Sequence, residues 1–178
     1  MLLPIVVVTI DGAQPDIPGD IQAANLVWGN EIEVWVDVVR SSVVDRPDLL
    51  TLTQTDCAAA GHVVSDEEDE LFDLGRGQGA DVVGYYIAAD TGGFRGCAAH
   101  PPGRRGFWSG DAATQWTFIH EATHVVGDNP HITNSDNLMF RNGTASITNL
   151  PPDMNDVQRT RILNDPALLS IESLILNL

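Results

Sequence analysis

Apolar and polar positions along the chain fall into three patterns. The first is the short β-rich run. Ile5 to Ile10, bounded by Pro4 and the Asp11-Gly12 turn signal, predicts a buried strand; Glu31 to Val39 alternates, with Ile32, Val34, Val36 and Val38 on one face, and predicts a second. Asp81 to Ala88 is apolar nearly throughout and reads as a strand buried on both faces. The second pattern is helical. Pro18-Gly-Asp20 opens a helix that carries Ile21, Ala24, Asn25 and Trp28 at helical spacing and stops at Gly29-Asn30. Asp66 to Leu74 reads as a short helix whose acidic first turn suits the helix dipole. Ala112 to Val126 forms a helix with a core-facing stripe of Trp116, Ile119, Thr123 and Val126, ended by Gly127. A last helix spans Asp153 to Ile162, with Pro151-Pro152 before it and Pro166 after it. The third pattern is irregular: Val43 to Gly61 has no period, Gly75 to Gly79 is a turn, and Gly92 to Gly110 holds two short strands at a sheet edge. No repeat or linker divides the chain, so residues 1–178 are expected to form one domain that opens β-α-β.

Composition narrows the function. A chain of 178 residues, 43 % hydrophobic and 19 % charged, is one domain's worth of globular sequence, long enough to bury roughly 70 % of its unfolded surface. All nine basic residues are Arg, set against 25 acidic residues, for a net charge of −16. Such a chain lacks the basic face that nucleic acid or an anionic membrane would need. No run approaches the ~20 apolar residues of a membrane span. The start lacks the basic segment and small-residue cleavage site of a signal peptide and reads as the first strand. The acidic run Asp66 to Glu70 lacks the spacing of a calcium loop and reads as a solvated helix face. Cys57 and Cys97 leave a disulfide, two thiols or two unrelated residues open.

The stretch His120-Glu121-Ala-Thr-His124-Val-Val-Gly127-Asp-Asn-Pro-His131 carries the chemistry. On a helix, residues four apart lie about 40° apart and one turn along, so both His120 and His124 can reach one ion. Glu121, one step round, can hold a water at the same metal without ligating it. Gly127 can turn the chain back in the left-handed conformation, bringing His131 to a third ligand position and leaving a fourth for water.

These residues resemble the HExxHxxGxxH zinc peptidases called metzincins, which place a methionine in a tight turn beneath the metal; Asn137-Leu138-Met139-Phe140 is similar to that Met-turn. The likeness is specific from Ala112 to Phe140 and looser over Asp81 to Ile87 and Gly96 to Gly103. It implies an α+β zincin-like domain with a twisted mixed sheet. An upper part, about 1–127, would carry the active-site helix. A smaller lower part, about 128–178, would carry the Met-turn and the final helix. It implies a Zn2+-dependent endopeptidase with ligands His120, His124 and His131, base Glu121, and support from Gly127 and Met139. A peptide substrate would lie along an edge strand within Phe94 to Ala98. The alternatives are a non-catalytic zinc-binding module of the same fold and a zinc hydrolase acting on a non-peptide amide. A monomer outside the cell is expected by analogy and from the possible disulfide.

Two departures stand out. Three residues, Asp128 to Pro130, separate Gly127 from His131 where the family has two, so either the loop bulges to deliver His131, the favoured reading, or Asp128 or Asn129 approaches the metal. Arg141 stands where some members carry a tyrosine ligand, so none is expected. His62 and His100 read as surface or hydrogen-bonded residues. Arg104-Arg105 reads as a solvated loop pair rather than a substrate contact. The four tryptophans read as core or rim, and Asn142-Gly-Thr144 as a chance glycosylation match.

Overall fold

A computed structural model describes residues 1–55, 64–100 and 105–170. The chain alternates strand and helix. β1 (Leu2–Ile10) leads through α1 (Ile17–Ile32) to β2 (Trp35–Val44); β3 (Thr51–Leu52), α2 (Asp66–Asp73), β4 (Val82–Ile87), β5 (Ala89–Asp90), β6 (Gly96–Ala98), β7 (Gly106–Gly110), α3 (Thr117–Val125) and α4 (Asp156–Leu163) follow. The main sheet is mixed, in the order β2-β1-β4-β7-β6, with four parallel strands and β6 antiparallel at the end. β3 and β5 form a small parallel pair.

A parallel sheet must be covered on both faces, because its crossover connections put layers on each side. Alternate residues of β1 and β4 divide accordingly. Leu3, Ile5, Val7, Val82 and Tyr86 pack under α1 and α3, together with Trp28, Phe118, Ile119, Ala122 and Val125. Val6, Val8, Ile10, Val83, Tyr85 and Ile87 pack on the opposite face against Leu49, Leu52, Leu71 and Phe72. All six residues of β4 are buried, as its unbroken apolar run predicts.

Several element boundaries differ from the pattern. β2 runs on to Val44 rather than Val39, paired with β1 along its length, and α4 begins at Asp156 rather than Asp153, where the Asn155 side chain caps it. α1 runs on through Ile32 and ends at Glu33 in the left-handed conformation, so β2 begins at Trp35 rather than near Glu31. The alternating Ile32 and Val34 belong to the helix end and the turn; the 3.6-residue and two-residue periods coincide over so short a window. α3 begins at Thr117, not Ala112, because Thr117 Oγ1 accepts the Thr114 backbone N–H at 3.0 Å and closes a turn ahead of the helix. The acidic helix is not wholly solvated. Glu68 is fully buried and accepts hydrogen bonds from Trp108 Nε1 and the Ser65 N–H, both at 3.1 Å. Among the described residues no helix is long and apolar enough to cross a membrane.

Candidate metal centre

α3 lies on the sheet with Phe118, Ile119, Ala122 and Val125 turned into the core. That anchoring leaves His120, Glu121 and His124 facing a cavity of about 530 Å³, framed by residues 93–98, His131 and residues 141–146. The helix stops one residue before the expected end. Val126 is extended, and Gly127 and Asp128 then both take positive φ, 85° and 48°. The additional loop residue is absorbed there, since aspartate is among the few non-glycine residues that tolerate the left-handed region. A side chain at Gly127 would lie 2.8 Å from the Arg161 carbonyl carbon and 2.9 Å from the Ile162 nitrogen, so packing against α4 also demands glycine.

The bulge delivers His131. Its Nε2 lies 3.1 Å from Nε2 of both His120 and His124, and those two lie 3.3 Å apart. Neither alternative residue takes its place. The Asp128 carboxylate stands 3.2 Å from His100 Nδ1, and the Asn129 amide donates back to the Thr123 and Val126 carbonyls.

Protonation follows from the second ring nitrogens. His120 Nδ1 donates to the Leu138 carbonyl and His124 Nδ1 to the Asn129 carbonyl, each at 2.7 Å. A carbonyl only accepts, so the proton of each neutral ring sits on Nδ1 and a bare lone pair on Nε2. Burial first, and then the neighbouring histidines, keep the rings neutral against the carbonyl hydrogen bonds that favour the charged form: together they lower His120 to about 4 and take His124 well below the ordinary imidazole value. His131, the most open of the three, is lowered by burial and then by His100. Lone pairs aimed at one another repel unless a cation lies between them. The spacing also suits one: tetrahedral zinc with bonds of ~2.0–2.1 Å holds its nitrogens about 3.3–3.4 Å apart. The donor set therefore fits zinc.

Glu121 is buried in the same cavity, and desolvation pushes its carboxyl up to about 8. Gly96 makes room for it; a Cβ there would lie 2.8 Å from Glu121 Oε1 and 2.6 Å from Thr117 Cγ2. A glycine inside a strand is the sequence signal for such close approach.

The loop that carries Met139 is tied down by groups that periodicity does not reveal. Asn137 and Gln158, both buried, exchange two amide hydrogen bonds of 3.0 Å, and Asn137 Oδ1 also accepts the Met139 N–H at 2.9 Å. The Leu138 N–H donates to the Asp153 carbonyl at 2.8 Å, which fixes the oxygen that holds His120. Met139 itself is fully buried. Asp165 accepts the Gly127 N–H at 2.8 Å and pairs with Arg105, so Arg105 is a structural ion pair and not a solvated loop residue.

His100 is hydrogen-bonded, as expected, but it also lines the cavity with its ring 4.5 Å from that of His124. Trp28, Trp108 and Trp116 are buried and Trp35 lies at the rim. Cys97 is disulfide-bonded, which resolves its open state; the chain's other cysteine, Cys57, lies outside the described residues with His62 and Arg104.

No family model matches the chain, and no curated protein matches it. Solved structures do. Metalloproteinase-II from Bacteroides fragilis superposes with a TM-score of 0.57 at 18 % identity, over 95 % of this chain and 54 % of that one. A chain of a chaperone–substrate complex gives 0.60 at 13 % identity, over 92 % and 34 %. This chain thus spans about half or less of the length of those two. Archaemetzincin from Methanopyrus kandleri is matched almost end to end, 91 % of this chain and 94 % of that one, with a TM-score of 0.59 and 15 % identity. Identities this low speak to architecture alone, and the architecture is the mixed-sheet fold of these metallopeptidases.

Proposed function

We propose that the chain is a zinc-dependent endopeptidase of metzincin type, with His120, His124 and His131 as ligands and Glu121 as the general base. The observation that carries this reading is the convergence of three imidazole Nε2 atoms within 3.3 Å of one another, those of His120 and His124 left bare by their Nδ1 hydrogen bonds, beside a buried carboxyl. When bound, the ion supplies Lewis acidity, polarising the scissile carbonyl and bringing a water's acidity near neutrality. Glu121 takes a proton from the attacking water and passes it to the leaving amine nitrogen. A carboxyl pushed toward neutral values suits that double duty. β6 ends the sheet and borders the cavity, so an extended peptide is read as lying antiparallel alongside residues 94–98. In this reading Met139 forms the apolar floor of a Met-turn. Residues up to about 127 form an upper part and those from 128 onward a lower part, with the cleft between them. The metalloproteinase named among the similar structures supports the same activity class.

The test pairs metal content with cleavage of a quenched peptide library. Wild type should carry one zinc per chain and cleave; chelation should abolish cleavage and added zinc restore it. Glu121→Gln should keep the metal and lose turnover by several orders of magnitude, while His131→Ala should lose the metal. A Glu121→Gln protein that still cleaves, or a wild type that binds no zinc, overturns the assignment.

A further inference from the structure

The cleft is basic in a protein that is not. The chain carries −16 net charge and nine cations. Arg46, Arg76, Arg105 and Arg159 are each taken up by carboxylates of the chain itself, and Arg161 donates to the Asp128 carbonyl at 2.6 Å. Arg40, exposed on β2, has no carboxylate partner among the described residues either, but it does not line the cavity of the three histidines; Arg95 and Arg141 do. Both are exposed, and neither has a carboxylate partner among the described residues. Among the described residues the cavity lining holds one carboxyl, Glu121, which is buried.

Position gives these charges a role. Arg95 immediately precedes β6, and its carbonyl accepts the Gly110 N–H of β7 at 2.9 Å, so its backbone is fixed. Arg141 follows the Met139 loop, and its N–H donates to the Ile132 carbonyl at 2.9 Å. The two guanidinium groups therefore project from anchored backbone on the two segments that frame the cavity. Two cations at this cavity, with no carboxylate partner among the described residues, are a standing attraction for an external anion. Arg is the side chain whose planar donor fork matches a carboxylate.

We infer that this cleft selects peptides bearing a carboxylate close to the bond it acts on, held by Arg95 and Arg141. The inference rests on the peptidase reading for the identity of the site and extends it to the substrate. The net negative charge of the remaining surface repels acidic chains at long range, so recognition is confined to the cleft and is salt-sensitive.

Binding separates this inference from turnover. The probes are dye-labelled peptides of one sequence with Glu, Gln or Lys at a single internal position, each amidated, plus the Gln peptide with a free C-terminal carboxylate. Anisotropy titrations would use zinc-loaded Glu121→Gln protein alone and with Arg95→Ala/Arg141→Ala, and cleavage would be followed with wild type. The Glu peptide should bind at least tenfold more tightly than the Gln peptide, and the Lys peptide most weakly. The Glu advantage should shrink in high salt and vanish in the double Arg variant, whose zinc content and unfolding midpoint show that it is folded. A matching advantage for the free-carboxylate Gln peptide identifies a chain terminus as the anion; its absence identifies a side chain. Equal binding of the Glu and Gln amides, no binding of any peptide, or a preference that survives in the double variant overturns the inference. Acidic peptides that bind but are never cleaved leave it standing and remove the peptidase reading; charge-blind cleavage does the reverse.

Discussion

The sheet and the segment that completes the histidine cluster are held by different forces. In the sheet, Leu3, Ile5, Val6, Val7 and Val8 are fully buried between two apolar layers, and nothing directional decides which hydrophobe stands where. From Gly127 to Asp165 the chain adds no strand to that sheet among its described residues. It anchors Leu138, Met139, Met154 and Ile162 in the core, but its course between those anchors is fixed by buried polar pairs: Asn137 with Gln158, Asn129 with the end of α3, Asp165 with Gly127 and Arg105. Apolar burial gives a stiff platform for α3, which brings two of the three imidazoles. The hydrogen-bonded segment places the third imidazole and the oxygen behind His120. Its weakness is that each lost partner leaves a buried group unsatisfied.

Substitutions on the two sides should therefore fail differently. The largest loss is expected for Gly127→Val, which puts a β-branched residue at φ 85° and a Cβ within 3 Å of the α4 backbone. Strain and overpacking together should cost about 4 kcal/mol and abolish metal binding, read by urea unfolding and zinc titration. Ile5→Ala, in the middle of β1, should cost about 3 kcal/mol through the cavity it leaves. Its zinc affinity in native buffer should stay unchanged. Gln158→Leu should cost only about 2 kcal/mol, because it strands the Asn137 amide, yet it should weaken zinc binding 10- to 100-fold by loosening the loop behind His120. If Ile5→Ala lowered zinc affinity as much as Gln158→Leu, the division between platform and polar loop would be wrong.

The same division decides what was legible in the sequence. β1, β4, α1 and α2 follow from apolar period and turn residues, because burial against a layer imposes a period. Errors fell where periods overlap, at Ile32 and Val34, or where a side chain closes a turn ahead of a helix, at Thr117. The positions of His120, Glu121 and His124 follow from helix geometry, and Gly127 from its place after the second histidine. The approach of His131 needed the left-handed Asp128, which residue type permits but does not demand. Asn137, Gln158 and Asp165 carried no periodic signal, since a hydrogen-bonding partner can stand anywhere along the chain. Gln158 alone left a trace, as the third helical residue of the α4 capping box with Asn155. Glu68 was misread as solvated because an acidic run hides the one carboxylate that turns inward.

The smallest expected effect concerns a polar pair on the apolar side. Tyr86 of β4 donates to Asp20 of α1 at 2.7 Å, and partial burial raises the Asp20 carboxyl from 3.8 to about 6, outweighing the Tyr86 hydrogen bond that lowers it; Asp16 nearby raises it further. The folded chain thus holds a proton that the unfolded chain releases near pH 3.8. This group contributes its full stability below that pH, and the contribution falls away as pH rises through about 6. Asp20→Asn keeps an oxygen for Tyr86 and removes the charge, so it should stabilise the protein at neutral pH. Because Asp20 is partly open to water the gain is discounted to about 1 kcal/mol. Urea midpoints for both proteins should coincide near pH 4 and separate by pH 7, with the variant the more stable. A variant that is less stable at pH 7 would mean that the charged carboxylate is needed by Tyr86, and that this half of the molecule too is held in place by a directional polar contact.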